Sequence, residues 1–392
     1  MRTPKFLVAM TNVANIKLIE NSSELLSLID QCLELEAYAL DTEFHREKSY
    51  YPKLALIQIN YGTGVALVDP TAISLSPLQE LFNSQQIAVM HACAQDLEVL
   101  QHYCNARPKE IFDTQIAAGF LGLRTPSLSS LHEKFLKKKL PKGERLTDWL
   151  QRPLSKRQIE YAAADVADLL EIYKILTSQL IKRERFEWAK DEFEIIKNRM
   201  NGSKDPSESW VRIKETRHLG VEGRGVAQSI AEWREIEARS LDVPARFILS
   251  DIAVVSISQK LPKTIGQLLT VRGVDKKRFT DERARKILEL VSQGKNQKVD
   301  IPIEKNEKQL DPNLRPAVAL ISAWLAQFAK DSDLDPALLG TRADIETLLR
   351  GDGQSRLSEG WRHEYVGVPI RKLLEGSASL AFVHGRLRME DR

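Results

Sequence analysis

Three short apolar runs stand close together near the start of the chain: AYALDTEF (37–44), LALIQINY (54–61) and VALVDP (65–70). Each has the length of a strand and the segments between them are turn-like, so they are expected as neighbours in one sheet. Two further runs, IAVMHA (87–92) and IFD (111–113), are each followed at once by helical periodicity, in QDLEVLQHY and TQIAAGFL. Strands that feed helices in this way build helix-on-sheet layers, so the first 180 or so residues are expected to be α/β. The segment SKRQIEYAAADVADLLEIYKILTSQL (155–180) is expected as one long helix. Ser155 would be its N-cap, and Ile159, Ala162, Val166, Leu169 and Leu170 its apolar stripe.

Beyond residue 181 the strand signals stop. A charged helical stretch (181–202) leads into the turn-rich SKDPSES (203–209), and residues 208–293 show helices without alternation. GKNQKVDIPIEKNEKQLDPN (294–313) has the composition of a linker, and helical patterning resumes from 313 to about 390. A chain of 392 residues, 43% hydrophobic and 28% charged, is expected to form two or three globular domains. A net charge of +3 neither demands nor excludes a polyanionic partner. Cys32, Cys93 and Cys104 form no CxxC pair, which points to a reducing compartment and away from a zinc site. No apolar stretch approaches the ~20 residues needed to span a bilayer, so a cytoplasmic protein is expected. GVEGRG (220–225) lacks the preceding strand of a dinucleotide loop and reads as an inter-helix turn. Gly273, between helical patterns with basic neighbours, is a candidate phosphate-facing turn.

The chemistry concentrates at the end of the first run. Asp41 and Glu43 are two residues apart, so on a strand both project to one face. Such pairs are common at solvated strand ends, but this one lies between AYAL and Phe44. Partly desolvated carboxylates raise each other's pKa unless a cation neutralises them, and Mg²⁺ or Mn²⁺ is the hard ion that oxygen ligands suit. Asp96, where a helix opens, is either a further ligand or a favourable charge at a helix N-terminus. Asp165 lies four residues after Tyr161, on the same helix face, with the small Ala162, Ala163 and Ala164 between them.

In this order, Asp41-Thr42-Glu43, then Asp96, then Tyr161-xxx-Asp165, the residues resemble the three motifs of the DEDD 3′-to-5′ exonucleases, tyrosine subtype; the histidine subtype would need His where Glu160 stands. DTEFHREKSYYPKLALIQI, FDTQIAAGFLG and TDWLQRPLSKRQIEYAAADV are similar to the bacterial ribonuclease D family. WVRIKETRHL and AEWREIEARSLDVPARFILSD resemble its HRDC module, and LLGTRADIETLLRG and GWRHEYVG its second, diverged HRDC-like module. One departure stands out: a glycine would be expected near Ala92.

The resemblance implies an α/β ribonuclease H-like exonuclease domain, a mixed sheet flanked by helices, followed by two all-α HRDC-like domains. The boundaries would be 1–205 for the exonuclease, 206–294 for the first HRDC domain, 295–312 for a linker and 313–392 for the second HRDC-like domain. It implies 3′-to-5′ removal of 5′-mononucleotides from RNA, tRNA precursors above all. Two divalent ions, Mg²⁺ or Mn²⁺, would be held by Asp41, Glu43, Asp96 and Asp165, and Tyr161 would orient water. Thr42, Phe44, Gln58, Trp149, Lys138 and Lys139 are candidate substrate contacts. For Phe44 and Trp149 the other reading is core packing; for Gln58, a backbone partner; for the lysines, a solvated loop. A monomer is expected, with the helical modules adding RNA affinity and their removal sparing hydrolysis of short strands. The alternatives are a DNA-directed exonuclease and an inactive nucleic-acid-binding protein.

Overall fold

The computed structural model describes residues 15–141, 143–144, 147–199, 205–275, 280–299, 310–351 and 355–392. Lys142 and Arg145 of the lysine-rich run, the basic residues 276–278 after Gly273 and most of the 295–312 linker lie outside them. The chain splits into two compact units, one of residues 1–44, 54–200 and 307–392, the other of 45–53 and 201–306.

The first unit is built on a six-stranded sheet. Its strands are β1 (Ile16–Ile19), β2 (Ala37–His45), β3 (Lys53–Asn60), β4 (Val65–Val68), β5 (Ile87–Met90) and β6 (Glu110–Asp113), in the order β1-β4-β3-β2-β5-β6. β1 pairs parallel with β4, β3 antiparallel with β4, and β2, β5 and β6 run parallel. The mixed sheet expected from the sequence is therefore present. β3 and β4 are almost wholly buried, as strands covered on both faces must be. The helix Ser22–Leu33 lays Leu25, Leu28, Ile29 and Cys32 against the core, and Asn21 caps it by accepting from the Glu24 N–H at 3.0 Å.

The long helix expected from Ser155 to Leu180 is instead two, Lys156–Ala167 and Leu169–Lys182. Ser155 and Gln158 form a capping box at the start, as the sequence suggested. The break has a tertiary cause. Asn60 Nδ2 on β3 donates to the carbonyls of Val166 (3.2 Å) and Ala167 (2.8 Å), which the next helical turn would otherwise use. The Asp168 carboxylate is drawn aside to Lys138 Nζ at 2.8 Å.

The block from 310 onward packs into this same unit. Trp361 stacks on Trp188 with centroids 4.8 Å apart and planes 11° from parallel. Arg362, 4% exposed, donates to Glu192 Oε1 at 2.5 Å, and Arg356 to Glu192 Oε2 at 3.1 Å. Asp335 donates its N–H to the Gly119 carbonyl and accepts the Thr125 N–H at 2.7 Å. The block is helical to Leu374 but ends in a hairpin, β7 (Ala378–Val383) with β8 (Arg386–Asp391), not in the helix expected to about 390. His384 and Gly385, both at positive φ, make its two-residue turn.

The second unit is helical within 206–275 and 280–295, around Trp210, Val226, Ile230, Val254, Ile257 and Ile287. GVEGRG is not a turn: Gly220 caps the helix Val221–Ser240 and the later glycines lie inside it. A Cβ on Gly225 would stand 2.1 Å from the Gly294 carbonyl oxygen, so the glycines let two helix backbones touch. Gly273, at φ +87°, also serves packing, since its Cβ would meet the Ala253 nitrogen at 2.8 Å. Among the described residues no helix is long and apolar enough to cross a membrane.

Candidate active site

Asp41 and Glu43 project from β2, Asp96 from the first turn of the helix Ala94–Cys104, and Asp165 from the helix Lys156–Ala167. Burial holds the Asp41 carboxyl well above the usual range, and the negative charges of Asp96, Asp165 and Glu43, in that order, push it higher. Asp41 thus feels the charge of acids up to 124 positions away in sequence. Burial also pushes Asp96 up to about 7, against the opposing hydrogen bond from Thr42, and pushes Asp165 up to about 7. Thr42 is 6% exposed and its Oγ1 donates to Asp96 Oδ1 at 2.5 Å, which fixes that carboxylate.

Three supports that the sequence did not single out hold these helices. Asp113, 1% exposed, caps the helix Thr114–Gly119 and also accepts the N–H groups of Ala92 (3.2 Å) and Cys93 (2.9 Å), fixing the turn that launches Asp96. The signal was present in IFDT, an Asp immediately before a helix. Asn60 grips the carbonyls just after Asp165. Arg152 donates to Asp69 Oδ1 (2.8 Å) and the carbonyls of Ala55 (2.7 Å) and Trp149 (2.8 Å), tying the approach to the Tyr161 helix to the sheet.

The remaining candidates divide. Tyr161 is half-buried, with Trp149 at 6.0 Å between ring centroids. Trp149 is 1% exposed, so the expectation that it stacks on a terminal base is corrected to packing beneath Tyr161. Phe44 is half-buried against the core. Gln58 is fully buried, and neither atom of its amide has a hydrogen-bond partner among the described residues, so the backbone partner expected as its alternative is not there. Lys138, half-buried, pairs with Asp168 Oδ1 at 2.8 Å. Lys139 is exposed.

Carboxylate oxygens are the donors that hard divalent ions take, and acids that suppress each other's ionisation are relieved by a cation. Among the described residues no group of three Asp, Glu, His or Cys side chains already stands in a metal-holding arrangement. The donor chemistry fits a divalent metal.

A 3′-5′ exonuclease family model matches residues 16–181, and an HRDC domain model matches 224–291. Ribonuclease D of Zymomonas mobilis is 32% identical over 381 residues, covering 95% of this chain and 97% of its own. Ribonuclease D of Sphingobium indicum is 34% identical over 384 residues, covering 95% and 98%. The chain belongs to the ribonuclease D family. The crystal structure of Escherichia coli RNase D, described as an exoribonuclease involved in structured RNA processing, superposes with a TM-score of 0.80 at 28% identity, covering 92% of this chain and 99% of that one. The protein is accordingly a 3′-5′ exoribonuclease, with the exonuclease match containing all four acids and Tyr161.

Proposed function

We propose that this ribonuclease D-type enzyme trims structured RNA, tRNA precursors above all, at the cluster formed by Asp41, Glu43, Asp96, Asp165 and Tyr161. The observation that supports this most is that Asp41 feels the charges of Asp96, Asp165 and Glu43 together. The four carboxylates would hold two divalent ions, Mg²⁺ or Mn²⁺. Bound there, such ions make water a nucleophile near neutrality and stabilise the leaving 3′-oxygen.

The chain's own residues do the rest. The Tyr161 hydroxyl hydrogen-bonds the attacking water and aligns it with the terminal phosphorus. Glu43 meets the terminal 3′-hydroxyl, which selects a chain end. The water oxygen bonds to phosphorus, the bond to the upstream 3′-oxygen breaks, a proton from the water ends on that oxygen as the new 3′-hydroxyl, and a 5′-mononucleotide leaves. Thr42 acts through Asp96. The exposed Lys134, Lys137 and Lys139 form a rim for phosphates, which predicts affinity that falls steeply with salt.

Purified protein is incubated with 5′-labelled RNA and with DNA of the same sequence, in Mg²⁺, in Mn²⁺ and in EDTA. Stepwise shortening of RNA from its 3′ end in metal only is the expected result. Equal rates on DNA favour the DNA-directed alternative, and no release in any metal favours a binding protein. The three cysteines are free and buried, which suits the cytoplasm, where the enzyme is proposed to act as a monomer.

A further inference from the structure

The helix that carries Tyr161 and Asp165 ends at Ala167, and Asp168 stands between it and the helix Leu169–Lys182. An Asp in that place ordinarily turns back to accept N–H groups from the first turn of the helix it opens. Among the described residues the Asp168 carboxylate makes no such cap. It is 8% exposed and faces the segment 132–138 instead, where Oδ1 accepts from Lys138 Nζ at 2.8 Å and Oδ2 lies 3.6 Å from His132 Nε2. His132 and Lys138 are the two ends of one turn. His132 opens the π-type turn His132–Leu136, and its carbonyl accepts the N–H groups of Lys137 and, at 3.3 Å, of Lys138. Lys137 closes the turn at φ +58°. Such wide turns are rare and concentrate at functional sites.

The protons at this joint follow from its partners. A carbonyl only accepts, so His132 Nδ1, 3.0 Å from the Leu128 carbonyl, carries a hydrogen. His132 is fully buried, and burial holds its imidazole below the ordinary range, so near neutrality Nε2 turns a lone pair towards Asp168 Oδ2. Neither atom has a hydrogen-bond partner among the described residues. Two facing acceptors oppose each other, so it is Lys138 that draws the carboxylate here and away from capping. The two residues before Asp168 are held as well, since Asn60 on β3 takes the carbonyls of Val166 and Ala167. Three consecutive residues just beyond Asp165 are therefore fixed from two sides, by a strand and by the lysine turn. Ending a helix needs only the first of these.

We propose that Asp168 is a positioning residue for hydrolysis: held by Lys138, it sets the end of the helix that aims Asp165 and Tyr161. Its carboxylate reaches no reacting atom; it acts through the backbone one turn away. A misplacement of about 1 Å at a reacting group costs on the order of a hundredfold in rate, so a smaller shift at the helix end shows in kcat. The inference rests on Tyr161 and Asp165 being catalytic.

The test uses the full chain and a short single-stranded oligoribonucleotide, well below the unfolding midpoint of each variant, where lost stability alone leaves kcat unchanged. Asp168→Ala and Lys138→Met are expected to lower kcat about tenfold with a much smaller change in KM. Asp168→Asn keeps an acceptor oxygen for Lys138 and offers its amide N–H to His132 Nε2, so it is expected to retain most of the wild-type kcat. Hydrogen exchange is measured in parallel. The amides of residues 162–168 are expected to exchange faster in Asp168→Ala and in Lys138→Met, with those of β3 unchanged. Wild-type kcat in both variants, an Asn variant as slow as the Ala variant, or unchanged exchange over 162–168 overturns the proposal. Should Asp168→Ala fail to fold, Lys138→Met, a change at a half-buried side chain, decides alone. If the wild-type chain releases no nucleotide, the catalytic reading fails by itself, and the exchange comparison still decides whether Asp168 holds the helix end.

Discussion

At the scale of single residues, Ala92 shows how a departure in sequence becomes a conformation. Its φ is +56°, in the region where glycine is at ease, and it is exposed, so its Cβ packs against little. Relief of the left-handed strain outweighs the added freedom of glycine when unfolded, so Ala92→Gly should stabilise the protein by about 0.5–1 kcal/mol in chemical denaturation. A lower midpoint would contradict that. Gln58 makes the opposite trade. Replacing its buried, unpartnered amide with the apolar Gln58→Met should raise Tm, since an orphan buried polar group costs about 1–3 kcal/mol. If the amide serves the site, kcat falls in the same variant; a lower Tm would show that the amide is satisfied after all. The acids set a pH dependence. With Asp96 and Asp165 raised from 3.8 to about 7, the metal-free native state binds more protons than the unfolded chain between those values. Stability in EDTA should therefore fall as pH rises from about 4 to about 7 and level off above that, and saturating Mn²⁺ should remove the fall. Thermal unfolding at about pH 5.5 and pH 8 reads it, and metal-free Tm rising with pH would refute it. The acids could be proposed from sequence because DxE and YxxxD carry their spacing there. The burial of Trp149 and the capture of Lys138 were not, because both depend on what folds over them.

At the scale of elements, most strands could be located from apolar runs between turn residues, and the Ser155 capping box marked its helix start. The break at Asp168 was hidden because its cause, Asn60, sits on β3, more than a hundred positions away. The terminal hairpin was hidden by a helical context, although SLAFV-HG-RLRME alternates around a two-residue turn. The glycines of 220–225 looked like loop punctuation because a helix–helix crossing without side chains leaves the same signature. Gly225→Ala would force its Cβ against backbone oxygens at 2.1 and 2.6 Å. It should destabilise the helical unit by roughly 1–3 kcal/mol, read as loss of protection of amides in 221–240 by hydrogen exchange. Unchanged protection would mean that the crossing can relax.

At the scale of the whole molecule, composition and length indicated several domains but not which of them share a core. Residues 310–392 pack with the helix Phe186–Arg199 and the segment around Gly119 and Thr125 through Trp361, Arg362 and Asp335, so they are not a detachable appendage of that unit. A chain ending at residue 306 would leave Glu192 without either arginine, a loss of about 3–5 kcal/mol for a buried pair broken on one side, and would bare Trp188. It should unfold at markedly lower temperature than the full chain, and an unchanged Tm would contradict this. All of these pieces serve one proposal: acids from a strand, from one strand–helix junction and from a distant helix form a divalent-metal site at an RNA end. The most direct measurement is anomalous diffraction from crystals of the full chain soaked with Mn²⁺ and a nucleoside 5′-monophosphate. Manganese bound by Asp41 together with Asp165, and by Glu43 or Asp96, with Tyr161 facing the phosphate, is the predicted result. Manganese elsewhere, or an Asp165 side chain turned away from an occupied Asp41, would contradict it.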